Sequence, residues 1–320
     1  MMKNTTTILI LTALAAAATA CNKTSSPEAP FDPVVKVAPE VAPQTRGSYT
    51  TENLKEFDLF IHSANSKYSY TNTKFTKNAS GEWEPARTML WEGKDKGFKF
   101  LAVAPPLPKR DVALTETGEI FEFTVESMQT AGSNASDLLW AGQGMIDDIT
   151  PSNEKYFKDG ELTFEFEHAL SLLKVQLTLG TELNHDGVPE DNPISELKIK
   201  GFIPTAQVGY GSLNKSGTAS EIQAYQSGWK KAEDKNHNCV ATFECIVIPQ
   251  EMDKFTVNFV CGGKPYTYTA TLTKNGSSFY FMGGNAYTLP LTVGKDEVIM
   301  GNNITATPWD DGGSDDLETD

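Results

Sequence analysis

The sequence predicts an all-β protein built of two antiparallel β-sandwich domains in tandem, and three observations carry that prediction. Apolar residues recur with period two, as in Phe57-Asp58-Leu59-Phe60-Ile61-His62, Phe98-Lys99-Phe100-Leu101-Ala102-Val103 and Ile120-Phe121-Glu122-Phe123-Thr124-Val125. β-Branched and aromatic residues fill those runs, and hardly any stretch holds the helical period instead. A concentrated block of turn formers, Asn184-His185-Asp186-Gly187-Val188-Pro189-Glu190-Asp191-Asn192-Pro193, separates two sets of such strands. A chain of 320 residues, even less its first 21, exceeds what one sandwich needs and suits two cores.

The elements follow in order. Lys3, the apolar run Ile8–Ala20 and the small residues Ala18-Thr19-Ala20 ahead of Cys21 form a bacterial lipoprotein signal over residues 1–21. That run is shorter than the roughly 20 apolar residues of a spanning helix, so it is expected to be cleaved, leaving lipidated Cys21 as the first residue. Residues 22–46 are rich in Pro, Ser, Thr and Val and read as a leader or tether, although Val34, Val35, Val37 and Val41 suit an edge strand. The first sandwich is assigned to residues 47–183. Its later strands follow the Asp159-Gly160 turn, as Leu162–His168 and Leu170–Leu179. The second, over residues 184–309, carries Leu197–Ile203, Thr242–Ile248, Phe255–Val260, Tyr266–Leu272, Tyr287–Val293 and Ile304–Thr307. Residues 310–320 are acidic and Gly-bearing, the composition of a disordered tail.

A formal charge of −15 and a pI near 4.8 exclude nucleic acid and anionic lipid surfaces as partners, since both select clustered Lys and Arg. Cys239, Cys245 and Cys261 make no closed disulfide framework in an exported protein. The first two lie six apart on one extended segment, about 20 Å between Cα atoms against a limit of roughly 7 Å. Cys245 could bridge to Cys261 on a neighbouring strand, but burial as small apolar side chains is the preferred reading.

No catalytic constellation is present: the chain lacks a G-x-S-x-G elbow, an H-E-x-x-H pair, a P-loop and a C-x-x-C motif. Gly142-Gln143-Gly144 and Gly209-Tyr210-Gly211 lack the third glycine of a dinucleotide loop and read as turns. His62, His168, His185 and His237 show no ligand spacing, and His168 reads as a satisfied structural histidine. His185, Asp186, Glu190 and Asp191 fall in a Pro-interrupted solvated turn rather than a cation loop. Trp83, Trp91, Trp140, Trp229 and Tyr210 are the aromatics that could stack on sugars; packing in the core or at its rim is the favoured role. No enzyme activity, metal or cofactor is therefore expected.

Several stretches together carry a family resemblance. They are the lipoprotein signal, a Pro-rich leader ending in Thr45-Arg46-Gly47, Leu138-Leu139-Trp140-Ala141, and the run Phe164-Glu165-Phe166-Glu167-His168-Ala169-Leu170-Ser171-Leu172-Leu173-Lys174-Val175. The close of the chain adds Asn285–Val293 and Ile304-Thr305-Ala306-Thr307-Pro308-Trp309. With these the sequence resembles the fimbrillin family, the subunits of type V pili in Bacteroidales. The resemblance implies transthyretin-like sandwiches, a palmitate-bearing lipoprotein at the cell outer membrane, and an arginine-specific protease that cuts between Arg46 and Gly47. Loss of the leader strand would then open a groove for a strand of the next subunit. The implied partners are other fimbrial subunits, the maturation protease and the outer membrane through the lipid on Cys21, with host proteins or glycans as further ligands. The acidic tail beyond Trp309 departs from an apolar donor strand, so donation would use Asn302–Pro308. The alternative function is a monomeric surface glycan-binding lipoprotein, which requires an exposed aromatic platform.

Overall fold

The computed structural model describes residues 30–42, 49–184, 187–272, 278–301 and 303–309. The chain divides into two units, and residues 30–32, the described part of Met1–Asp32, carry neither strand nor helix. The second unit, Pro33–Asp320, holds the fold.

Its strands run in chain order. The first are β1 (Val37–Val41), β2 (Glu56–Ser63), β3 (Tyr70–Lys77), β4 (Trp83–Pro85), β5 (Phe98–Ala104) and β6 (Glu119–Thr124). Next come β7 (Leu139–Ala141), β8 (Phe157–Lys158), β9 (Glu161–His168), β10 (Ser171–Leu179), β11 (Ile194–Lys200) and β12 (Thr205–Gly209). They are followed by β13 (Ser212–Ser216), β14 (Glu221–Gln223), β15 (Tyr225–Lys230), β16 (Cys239–Val247), β17 (Glu251–Met252) and β18 (Lys254–Cys261). The last are β19 (Lys264–Thr271), β20 (Phe279–Tyr280), β21 (Asn285–Val293), β22 (Val298–Met300) and β23 (Thr305–Pro308). Only two short 3-10 turns, Ser66–Tyr68 and Thr181–Asn184, interrupt them among the described residues, so the protein is an all-β sandwich fold.

One sheet has the order β1-β9-β7-β5-β2-β3-β4, with β8 also on β9. Another runs β15-β16-β10-β21-β22, with β23 on β21; β14-β11-β18-β19, β13-β12-β6 and β17-β20 complete the set. The expected turn at Asp159-Gly160 is a two-residue hairpin between β8 and β9, with Lys158 opposite Glu161. Both turn residues have positive φ (53° and 84°), the requirement that selects Asp-Gly at such a turn.

The first sheet is covered on both faces. Phe57, Leu59 and Ile61 of β2 enter one core with Phe75, Phe100 and Phe166, while Phe60 of the same strand enters the other. β5 is buried at every position, which explains its nearly unbroken apolar sequence. The larger core joins Phe60, Leu101, Val103 and Leu138 to Leu173, Val175, Phe243, Val257 and Leu289.

Two features of the strand pairing add to the expected organisation. Pairing is not purely antiparallel, because β1 lies parallel to β9 and β10 parallel to β21. The sheets also do not divide at Asn184–Pro193. β10 precedes that block but sits between β16 and β21, so the chain passes from one sheet to the next at Ala169-Leu170. Both of those residues are buried, and a crossing made inside the core needs none of the polar turn formers that a solvent-exposed loop does.

Candidate functional site

The leader strand β1 alternates as a half-buried strand should: Val35, Val37, Pro39 and Val41 are buried, and Lys36 and Glu40 are exposed. As the edge strand of its sheet it lies on β9 in parallel register, from Val37 opposite Leu162 to Val41 opposite Phe166. The Leu162 N–H donates to the Lys36 carbonyl at 2.9 Å and the Ala42 N–H to the Phe166 carbonyl at 3.0 Å. Even-numbered leader residues therefore bond to β9 and odd-numbered ones face the outer edge. Pro39 is odd, so its missing donor falls where no ladder bond is lost.

Two further contacts fasten the leader. Thr51 Oγ1 accepts from the Val41 N–H at 3.0 Å and donates back to the Val41 carbonyl at 3.3 Å. Upstream, the Val35 N–H donates to Met89 O at 3.0 Å and the Trp91 N–H to Pro33 O at 2.7 Å. The valines cover an aromatic cluster centred on Phe57, whose ring lies 5.3 Å from Phe75, 4.9 Å from Trp83 and 5.5 Å from Phe166. Burying each valine contributes about 1.5–3 kcal/mol, so stripping β1 from its seat exposes a strongly apolar groove. On its free side runs a cavity of about 560 Å³ lined by Lys36, Pro39, Thr51, Lys77, Trp83 and Glu84.

Cys21, Arg46 and Gly47 lie outside the described residues, as do His185, Asp186, Asn302 and the acidic tail 310–320. The leader is described as far as Ala42, and the chain is described again from Tyr49, whose phenol is buried and pushed up from its ordinary pKa chiefly by desolvation.

At the other end, β23 pairs antiparallel with β21, from Asn285 opposite Pro308 to Thr288 opposite Thr305. Trp309 then donates its backbone N–H to Gly284 O at 2.6 Å, and its ring stacks on His168 at 4.0 Å and 11°. His168 Nδ1 lies 2.6 Å from Asp137 Oδ1, both side chains fully buried, which is the satisfied structural histidine expected of it.

The other candidates stay apart. His62 approaches Glu116 at 3.6 Å, whereas exposed His237 meets Asp234 at 2.9 Å, a hydrogen bond that raises the imidazole pKa. Cys239, Cys245 and Cys261 are free and buried, so the Cys245–Cys261 bridge does not form. Trp91 is buried, and Trp83, Trp140, Trp229 and Tyr210 are half-buried, Trp140 being less enclosed than a core residue. These five do not make the exposed platform that a glycan-binding surface needs. Asp58, fully buried and bonded to Asn72, Leu107 and Arg110, is an organising residue that strand alternation gives no means of finding.

These features can be set beside known proteins. No curated protein matches the sequence. Among solved structures, a candidate cell adhesion protein from Bacteroides uniformis superposes with a TM-score of 0.58 at 16% identity, covering 86% of this chain and 98% of that one. The tip fimbrial protein Mfa3 of Porphyromonas gingivalis gives 0.46 at 10% identity over 87% and 100% of the two chains. The fimbrial anchor protein Mfa2 of the same organism gives 0.42 at 10% identity over 86% and 98%. The first likeness supports the fold, and the family model described as fimbrillin-like matches residues 45–309, from just after the leader strand to Trp309. The chain belongs to the fimbrillin-like family.

Proposed function

We propose that this chain is a structural or adhesive subunit of a type V fimbrium, exported as a lipoprotein through Cys21 and assembled by protease-triggered strand exchange. The observation that carries the reading is β1: a short strand with its valines in an aromatic core, held by one ladder and by Thr51, a few residues before Arg46. Cleavage at Arg46–Gly47 leaves β1 bound by non-covalent contacts alone. Its departure uncovers the unpaired edge of β9 above an apolar groove, a surface that a strand of matching alternation satisfies.

β23 is the strand available for donation. It is four residues long, has β21 as its ladder partner and ends in Trp309, so donation requires the His168–Trp309 stack to open. The two-sandwich organisation belongs to the same proposal, with the junction at Ala169-Leu170 and the leader over residues 22–46. The partners are other fimbrial subunits and an arginine-specific protease, with the lipid on Cys21 holding the precursor at the outer membrane.

The test is Arg46→Ala. Wild-type surface material is expected to begin at Gly47 and to enter filaments, and the variant to remain a monomeric membrane-bound precursor that retains β1. Fibres built of chains still starting at lipidated Cys21 would overturn the mechanism. Fatty-acid labelling that persists in Cys21→Ser would separately overturn the anchor.

A further inference from the structure

A sheet edge with unpaired N–H and C=O groups is a template for another strand, and most of the described edges of this fold are blunted. On β1, Pro39 has no donor, and the Val35 and Val41 N–H groups are taken by Met89 O and Thr51 Oγ1. β4, β14 and β22 are three residues long, β23 ends in Pro308, β13 carries Lys215, and β15 has a bulge between Gln226 and Gly228. β19 differs: it is eight residues long, pairs with β18 without a bulge, and bears no charge after Lys264.

The hairpin before β19 defines which of its groups are free. Gly262 and Gly263, at φ 56° and 83°, make a two-residue turn, so Cys261 and Lys264 face each other as a pair that exchanges both hydrogen bonds. The positions of β19 bonded to β18 are then Lys264, Tyr266, Tyr268 and Ala270, and the Leu272 N–H continues the series to Asp253 O at 2.7 Å. Thr267, Thr269 and Thr271 point their N–H and C=O groups the other way, and among the described residues no strand pairs with that edge. Pro265, which has no N–H, closes the open stretch at its start.

The side chains select the occupant. Thr267, Thr269 and Thr271 are exposed on one face, while half-buried Tyr268 and buried Ala270 turn to the other. Paired antiparallel about Thr269, this stretch complements itself: Thr269 meets its own copy, Thr267 meets Thr271 of the second copy, and Tyr268 meets the small Ala270. No charge stands at any of these positions, and cross-strand threonine pairs contribute about 0.2–1 kcal/mol each. In a chain of net charge −15, an uncharged edge is where two copies approach with least repulsion. A two-fold pair also closes on itself and leaves neither edge open.

We propose that β19 pairs antiparallel with β19 of a second copy about a two-fold axis at Thr269, joining two β14-β11-β18-β19 sheets edge to edge. The stretch is too short to bury the roughly 1,000 Å² of a stable complex. The pair is therefore weak, dilute precursor stays monomeric, and pairing occurs where copies are held side by side. It is independent of leader cleavage, since β1 and β19 belong to different sheets.

Disulfide trapping tests the register. The full chain carrying Cys21→Ser, with its leader uncut, is oxidised with copper phenanthroline at about 1 mM, a concentration suited to a weak complex. Cys239, Cys245 and Cys261 are buried and stay out of the reaction. Thr269→Cys should give a covalent dimer on a non-reducing gel, since bonded partners stand about 5.5 Å apart at Cα, within disulfide reach. Thr271→Cys should link to itself at least about tenfold more slowly, its two copies lying about 14 Å apart, yet link readily when mixed with Thr267→Cys. Adding Thr271→Pro to Thr269→Cys removes donors to the second copy without touching a bond to β18, and should slow trapping by at least about tenfold. Equal rates for Thr269→Cys and Thr271→Cys, the mark of random collision, would overturn the proposal. So would the lack of a Thr269→Cys dimer, or trapping that Thr271→Pro leaves unchanged. Should the proline variant fail to fold, the comparison of the cysteine positions decides alone.

Discussion

Asp58 illustrates how a charge is accommodated in this core. Its Oδ2 accepts from the Leu107 N–H at 2.8 Å and from Asn72 Nδ2 at 3.0 Å, and its Oδ1 meets Arg110 Nη1 at 2.6 Å. Removing the carboxylate strands these donors, so Asp58→Ala should lose about 3–5 kcal/mol of stability in urea unfolding, with Asp58→Asn losing less. The cysteines make a different prediction. Burial, and after it the charge of Glu244, pushes the Cys245 thiol from its ordinary 9.0 up to about 12. The folded state therefore binds this proton more tightly than the unfolded state. The associated stability is complete below about pH 9 and is lost as pH rises through about 12. Iodoacetamide at pH 8 should leave Cys239 and Cys245 unmodified in the native protein and label both after denaturation, as read by mass spectrometry.

At the scale of elements, strands long enough to alternate were legible. β2, β5, β9, β10, β16, β18 and β21 all fall on runs whose period or β-branched content marks them, and the leader valines do form a strand. β7, β8, β17, β20 and β22 are two or three residues long, too short to show any period, and they exist because a neighbouring strand offers its edge. β1 gains its hold from outside itself in the same way. Thr51→Val removes both side-chain bonds to Val41, each contributing about 0.5–1.5 kcal/mol. Amide exchange at Val41, and at Ala38 and Glu40 facing β9, should quicken, while core amides of β10 and β16 keep their protection. Unchanged exchange along β1 would show that Thr51 does not fasten it.

Across the molecule, the position of β10 has the largest consequence. A fragment of residues 184–309 lacks the strand between β16 and β21 and loses Leu173, Val175 and Leu177 from the core. It should remain unfolded by near-ultraviolet circular dichroism, whereas beginning at Ala169 restores the sheet order β15-β16-β10-β21. Cooperative folding of the shorter fragment would contradict the sheet assignment. The pairing of β6 with β12 and the larger core both cross the junction, so the intact chain should unfold without two well-separated transitions.

All-β character, the type of each long strand, the apolar leader and the structural role of His168 were readable from residue order, since alternation, turn chemistry and side-chain type are local properties. Partnership was not. That β1 pairs with β9, that β10 joins a sheet formed with later strands, and that Glu244 and Asp58 are enclosed all depend on contacts between residues far apart in the chain. Asn184–Pro193 announced a loop because loops exposed to water need turn residues. The passage from β9 to β10 at Ala169-Leu170 announced nothing, because a crossing between sheets made by buried residues is written in the same apolar residues as the strands it joins.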